Sequence, residues 1–271
     1  MDAPGNNYLQ YAPEWLAAAW GCRTFLGQIV LANNSFIDHM RIAILDDDPS
    51  QLQFVTKALT PAGHSCYVFT EGRALIHRLQ RETFDLVSLD WNVVDMPGDL
   101  VLAWIRQNCD ANLPVLFMTS RSRETDIISA LNAGADDYVT KPVAAAMLLA
   151  RVTTLLRRTY RQELPIATQE FGDYLFNLQE GRLFRRGEAI TLSQKEFQVA
   201  LLFFRNLARP LSRAHIIETV WKHLADIPTR TLDTHVSAVR VKLDLKPQNG
   251  YCIVPIYGYG YRLEKLEVPA A

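Results

Sequence analysis

Ile42-Ala43-Ile44-Leu45-Asp46-Asp47-Asp48-Pro49 is the stretch on which the fold turns. Four apolar residues that run into three carboxylates and a proline read as a buried strand ending in a loop. Pro49 suits the first turn of a helix, and Leu52, Val55 and Leu59 then recur at helical spacing until Gly63 closes it. Toward the C-terminus the alternation repeats. Cys66 to Phe69 reads as a strand and Ala74 to Leu79 as a helix; Leu86 to Leu89 is a strand that runs into Asp90, followed by a helix from Asp99 to Asn108. Val115 to Met118 is a strand ending at Thr119, with a helix over Glu124 to Ala133; Tyr138-Val139 is a short strand before Lys141-Pro142, and Ala144 to Tyr160 a long helix. Five strands, each followed by a helix, predict an α/β doubly wound parallel sheet.

Beyond Tyr160 the style of the sequence changes. Thr159 to Gln169 is polar, with one proline, and reads as a linker. Short strand-like pieces follow around Phe171–Asn177 and Arg182–Phe184, with a turn at Gly187. Ser193, followed three residues later by Glu196, is a capping-box signal for a helix carrying Phe197, Ala200, Leu201 and Phe204. Ser212 opens a second helix that ends near Trp221, and Thr231 a third that ends near Leu245. Tyr251 to Leu263, with Gly258 and Gly260, reads as a hairpin. Three helices and a hairpin predict a winged helix-turn-helix. The expected division is an N-terminal extension over 1–39, a first domain over 40–160, a linker over 161–168 and a second domain over 169–267. Met40 directly precedes the first strand, so residues 1–39 are expected to be dispensable or to lie before the native start.

The chain has 271 residues, 49% of them hydrophobic and 21% charged, which is the profile of a folded protein and excludes a disordered tail or a collagen-like rod. The net charge of −1 hides an asymmetry: residues 161–271 carry 15 Lys and Arg against 12 Asp and Glu, so only this part favours a polyanion. The four cysteines, Cys22, Cys66, Cys109 and Cys252, are far apart, which argues against a zinc site or a disulfide framework and for reduced thiols. Arg23 and Gln28 interrupt the apolar stretch from Trp15 to Ala32, so no membrane span is expected and the reading is cytoplasmic.

In an open α/β sheet, ligands bind beyond the carboxyl ends of the strands. Asp46, Asp47, Asp90, Thr119 and Lys141 fall at those ends. Converging carboxylates either rise in pKa or hold a cation, and an oxygen-rich site of few ligands suits Mg²⁺. A hydroxyl and an ammonium beside it would serve a tetrahedral anion, which points to phosphoryl transfer with a carboxylate as nucleophile. Taken singly, each residue has a plainer reading: a solvated acidic loop, a helix cap at Asp90, a turn at Lys141-Pro142. Their order at successive strand ends favours the joint one.

These residues lie in recognisable motifs. LDDD at 45–48, FDLVSLD at 84–90, LFMTS at 116–120 and GADDYVTKP at 134–142 resemble the receiver domain of two-component response regulators. The resemblance implies Asp90 as acceptor of phosphate from a sensor histidine kinase, and Asp46, Asp47, Asp90 and the backbone carbonyl of Asn92 as the Mg²⁺ site. It further implies that Lys141 pairs with the phosphoryl group, that Thr119 hydrogen-bonds it, and that Tyr138 is the aromatic that swings inward with Thr119. Asp136, Asp137 and Arg151 match part of the family's dimerisation surface, implying a homodimer on phosphorylation. Val94 and Val143 stand where the family usually has Pro and Phe.

LSQKEFQVALLFFRN at 192–206, LSRAHIIETVW at 211–221, RTLDTHVSAVRVKL at 230–243 and YGYGYRL at 257–263 resemble the winged-helix output module of the OmpR/PhoB subfamily. That implies binding to double-stranded promoter DNA, with RNA polymerase as a further contact. Leu232, Val236, Val239 and Leu243 share the core side of the third helix. Arg230, Thr231, Thr234, Ser237 and Arg240 are candidates for phosphate or base contact, with Lys242 on the face of Thr231, Thr234, His235 and Ala238. Trp221 and His235 match positions that touch the DNA backbone in the family, and Trp221 reads equally as core. Ser237-Ala238 replaces two basic residues and Tyr257 replaces the arginine of the wing, so a different or weaker target preference is expected. The leading reading is a phosphorylation-controlled transcription regulator rather than an enzyme. The alternatives are a phosphorylation-independent DNA-binding regulator and a Mg²⁺-dependent phosphatase-like enzyme; the latter lacks a second Asp two positions beyond Asp90.

Overall fold

The computed structural model describes residues 39–121, 123–160, 167–221 and 228–266. All of the expected extension over 1–39 but His39, and most of the expected linker over 161–168, lie outside them. Five parallel strands, β1 (Arg41–Leu45), β2 (Ser65–Phe69), β3 (Leu86–Leu89), β4 (Val115–Thr119) and β5 (Asp137–Thr140), form one sheet in the order β2-β1-β3-β4-β5. Five helices cover its two faces: α1 (Pro49–Leu59), α2 (Gly72–Leu79), α3 (Gly98–Asn108), α4 (Glu124–Asn132) and α5 (Ala145–Thr159). The continuous apolar runs of β1, β3 and β4 follow from this arrangement, because a strand covered on both faces has no solvent side. Alternate residues serve two cores. Ala43 and Leu45 pack with Leu75, Val101 and Phe117 on one face, and Ile42 and Ile44 pack with Leu52, Val55, Leu148 and Val152 on the other.

The C-terminal part is a separate winged-helix domain. Strands β6 (Thr168–Phe171), β7 (Tyr174–Asn177), β8 (Arg182–Arg185) and β9 (Glu188–Ile190) form an antiparallel sheet. Helix α6 (Gln194–Arg205) starts on the expected capping box, with Ser193 and Glu196 each satisfying the other's backbone amide. Strand β10 (Leu211–Ser212), helices α7 (Arg213–Trp221) and α8 (Thr229–Lys242), and the hairpin of β11 (Tyr251–Ile256) and β12 (Gly260–Lys265) complete it. Leu232, Val236, Val239 and Leu243 are each fully buried, as their spacing predicts. Helix α8 begins two residues before the expected Thr231, because Pro228 occupies the N-cap and Thr231 already donates its amide to Pro228 O at 2.9 Å.

The winged helix rests on the end of the parallel sheet where β1 and β3 begin. Thr83 and Ser212 exchange hydrogen bonds: the Thr83 amide donates to Ser212 Oγ at 3.0 Å and the Ser212 amide to Thr83 Oγ1 at 2.8 Å. Arg209 donates to Phe84 O at 2.8 Å and to Asp85 Oδ1 at 3.1 Å. Arg41, itself buried, bridges Glu82 and Glu218 and lies over the Tyr67 ring. The same two strands thus carry the seam at one end and Asp46, Asp47 and Asp90 at the other.

Candidate functional site

Strand pairing fixes the acidic site, since the ladder continues past the strand ends. The Asp46 amide donates to Phe69 O at 3.1 Å and the Asp90 amide to Leu45 O at 2.8 Å, so both residues leave the sheet side by side. One carboxylate oxygen from each of Asp46, Asp47 and Asp90 lies within 4.8 Å of the others. Asp46 and Asp90 are buried and Asp47 is exposed. Lys141, whose backbone amide donates a hydrogen bond to Thr119 O at 2.9 Å just after β5, reaches back with Nζ 2.6 Å from Asp46 Oδ2 and 3.5 Å from Asp90 Oδ2. Burial pushes the Asp46 carboxyl above the ordinary carboxylate range, against the opposing pull of its hydrogen bond from Lys141. A second cation would relieve that cost, and an all-oxygen donor set open on the Asp47 side fits a hard divalent ion.

Around this centre Thr119 is fully buried and its Oγ1 accepts from the Arg121 amide at 3.3 Å. Tyr138 is 8% exposed, lies along Phe117, and donates its hydroxyl to Arg121 O at 2.6 Å. Asn92 is exposed and its side-chain oxygen accepts from Arg121 at 3.0 Å, while the Arg121 guanidinium covers the Trp91 ring at 4.9 Å. Sequence reading singled out neither Arg121 nor Trp91, and nothing in their local pattern signals the pairing. Gly98 was also missed. A Cβ there would stand 2.2 Å from the Asp90 carbonyl, so α3 can start against the acidic loop only because this residue is glycine.

The expected dimer residues are engaged within the chain. Asp137 pairs with Arg151 at 2.9 Å, and Asp136 accepts from Arg106 and from the Val115 amide.

On α8 the expected contact residues separate into two groups. Arg230, Thr234 and Ser237 are exposed, Val241 beside them is 76% exposed, and Tyr257 at the tip of the hairpin is fully exposed. Thr231 and Ala238 are half-buried. The others are tied to the protein. Arg240 donates twice to Ile253 O, at 3.1 and 2.8 Å, and lies over Tyr261; Lys242 pairs with Glu196 at 2.7 Å. His235 bonds the Thr231 carbonyl and meets Trp221 edge-on, and Trp221 is only 8% exposed, so the core reading of Trp221 is the one its position fits. Arg240 is an expected phosphate or base contact, but a long side chain can fold back along its own domain.

Two family models match the sequence, the response regulator receiver domain over residues 42–153 and the C-terminal domain of transcriptional regulatory proteins over 187–263. The sensory transduction protein RegX3 of Mycobacterium tuberculosis is 34% identical over 227 residues, covering 82% of this chain and 98% of that protein. The chain belongs to the two-component response regulators, with an OmpR/PhoB-like output domain. Among other relatives of this regulator, the transcriptional regulatory protein TrcR of M. tuberculosis is 31% identical over 246 residues, 90% of this chain and 95% of that one. The solved structure of the response regulator DrrB of Thermotoga maritima is 29% identical, covering 83% of this chain and 99% of that one, with a TM-score of 0.41. The regulator therefore joins a receiver to a DNA-binding output domain and is not a catalytic enzyme of the usual kind. Family membership implies a cognate histidine kinase and DNA as partners. No helix among the described residues is long and apolar enough to cross a membrane.

Proposed function

We propose that Asp90 is the phosphoacceptor and that its phosphorylation controls occupancy of promoter DNA by α8, in the cytoplasm. The observation that carries this reading is the convergence of Asp46, Asp47 and Asp90 within 4.8 Å, with the Lys141 ammonium 3.5 Å from Asp90. An Asp90 oxygen attacks the phosphorus of the kinase phosphohistidine, and the P–N bond breaks with its electron pair leaving on the imidazole. Asp46, Asp47, Asp90 and the Asn92 carbonyl would hold Mg²⁺, which when bound neutralises charge between the carboxylates and the phosphoryl oxygens. Lys141 holds a phosphoryl oxygen, exchanging part of its pairing with Asp46 for the new charge. The Thr119 hydroxyl turns to a second oxygen, and Tyr138 keeps the space beside it filled. The new charge at Asp90 then biases the surface of α4, β5 and α5. Ile128, Leu131 and Met147 are exposed on α4 and α5, and a homodimer through this surface would also engage Asp136, Asp137 and Arg151. RNA polymerase is the further partner at the promoter.

Labelling of the full chain with acetyl phosphate tests the acceptor. A single Mg²⁺-dependent phosphoryl adduct is expected on the wild type and none on Asp90→Asn; an adduct on both, or on neither, refutes the assignment.

A further inference from the structure

We propose that α8 reads thymine methyl groups, so that the operator half-site is defined by T·A pairs in the major groove and not by guanine. The inference rests on the DNA-binding reading above and specifies its ligand.

The outer side of α8 carries a stripe of exposed Thr234, Ser237 and Val241 with half-buried Ala238, at the i, i+3, i+4, i+7 spacing of one helical row, flanked by Asp233 and Lys242. The side chains there are short, and two of them, Ala238 and Val241, carry no polar atom. Val241 is 76% exposed, so its methyls are open to whatever the helix meets. The Thr234 hydroxyl is occupied as well, since Oγ1 donates to Arg230 O at 2.9 Å. Its methyl is then the group left to meet a partner.

Two of the three long cations on this helix are held elsewhere, and the third, Arg230, stands at its first turn, outside the stripe. Arg240 lies against Ile253 O and Tyr261, and Lys242 against Glu196. Arg213, on the neighbouring helix, is bound to Asp233 at 3.0 Å. A bidentate grip on guanine O6 and N7 needs a free fork on the contact face, whereas alanine, valine and threonine methyls match the thymine C5-methyl. From Thr234 to Val241 the stripe rises about 10 Å, the length of about three base-pair steps. Two or three thymine methyls within three or four consecutive base pairs are therefore within reach of each copy. On this proposal Arg230, exposed at the start of the helix, is assigned to a phosphate, so that positioning and reading fall to different residues and Arg230→Ala weakens binding to all sequences alike.

The test begins with selection of sequences from random duplex DNA by the phosphorylated full chain, followed by replacement of each thymine in the selected half-site by deoxyuridine, which removes only the methyl. Affinity is expected to fall about fourfold at each of two or more neighbouring positions, the factor that corresponds to about 0.8 kcal/mol per methyl-sized group. Val241→Ala should abolish the penalty at one of them. Ala238→Arg should create a guanine preference within the same few base pairs; both sites are on the outer face, and circular dichroism checks the fold. A selected operator that is indifferent to deoxyuridine, or an Ala238→Arg variant with unchanged preference, overturns the proposal while leaving DNA binding intact. Failure to select any sequence overturns the DNA-binding reading itself.

Discussion

Thr83→Val tests the seam between the two domains by removing one oxygen while keeping a β-branched side chain of nearly the same shape. Thr83 Oγ1 uses its full hydrogen-bonding capacity in the structure. It accepts from the Ser212 amide at 2.8 Å and from the Tyr259 hydroxyl at 2.8 Å, and donates to Pro210 O at 3.2 Å. Thr83 is 6% and Ser212 1% exposed, so water cannot replace the lost acceptor at the Ser212 amide. Tyr259 also lines a cavity of about 440 Å³ at the seam, roomy enough for water to accept from its hydroxyl, so its loss adds little. The cost is that of one stranded buried donor, about 1–3 kcal/mol, which raises the open population of the seam about 5- to 150-fold. Native-state hydrogen exchange reads this directly. The amides of Thr83 and His215, both bonded to Ser212 Oγ, should exchange faster by that factor, while amides within β1 and β3 keep their wild-type protection. If the two seam amides exchange no faster in the variant, or exchange freely in the wild type, the domains are not held by this contact.

Two further outcomes follow from buried groups. Gly98→Ala places a Cβ 2.2 Å from the Asp90 carbonyl, where the obstacle is backbone; thermal unfolding should show a loss of about 1–3 kcal/mol or more, with slower labelling by acetyl phosphate, and unchanged stability would mean that the start of α3 is looser than the geometry requires. Burial pushes the His215 imidazole down to about 4 while it faces Asp85, Arg209, Arg41 and Glu218. An unfolded chain takes up that proton near pH 6.5, so the neutral ring contributes stability above that pH which is lost as the pH falls toward 4. Between pH 7 and 5 the wild type should lose about 2 kcal/mol more than His215→Gln in denaturant titrations, and parallel losses would remove His215 as the cause.

Much of the fold was legible because burial on both faces of a parallel sheet leaves uninterrupted apolar runs, and β1, β3 and β4 each stop at a polar residue of the site. Asp46, Asp90 and Thr119 could therefore be placed at strand ends from local pattern alone, whereas Lys141 follows the short, half-polar β5 and is marked mainly by its place in the order. The start of α8 was less legible, since Pro228 at the N-cap competes with Thr231 as a signal for where the helix begins. Long-range contacts left no trace in sequence: Arg41 meets Glu218 across the seam, and Thr83 bonds Ser212 across a domain boundary. Arg240 and Lys242 show a second limit. Spacing gives the direction of a Cβ, but whether a long cation reaches outward or folds onto Ile253 or Glu196 depends on what the tertiary fold offers it. Arg121 over Trp91 and the close approach of Gly98 to Asp90 likewise exist only once loops from different strands meet.

The most direct measurement is the affinity of the full chain for its selected operator with and without acetyl phosphate and Mg²⁺, in the wild type and in Asp90→Asn. Phosphorylation should tighten binding at least several-fold in the wild type and leave the variant unchanged. Equal affinities in all four states would show that the charge at Asp90 does not reach the DNA-binding helix.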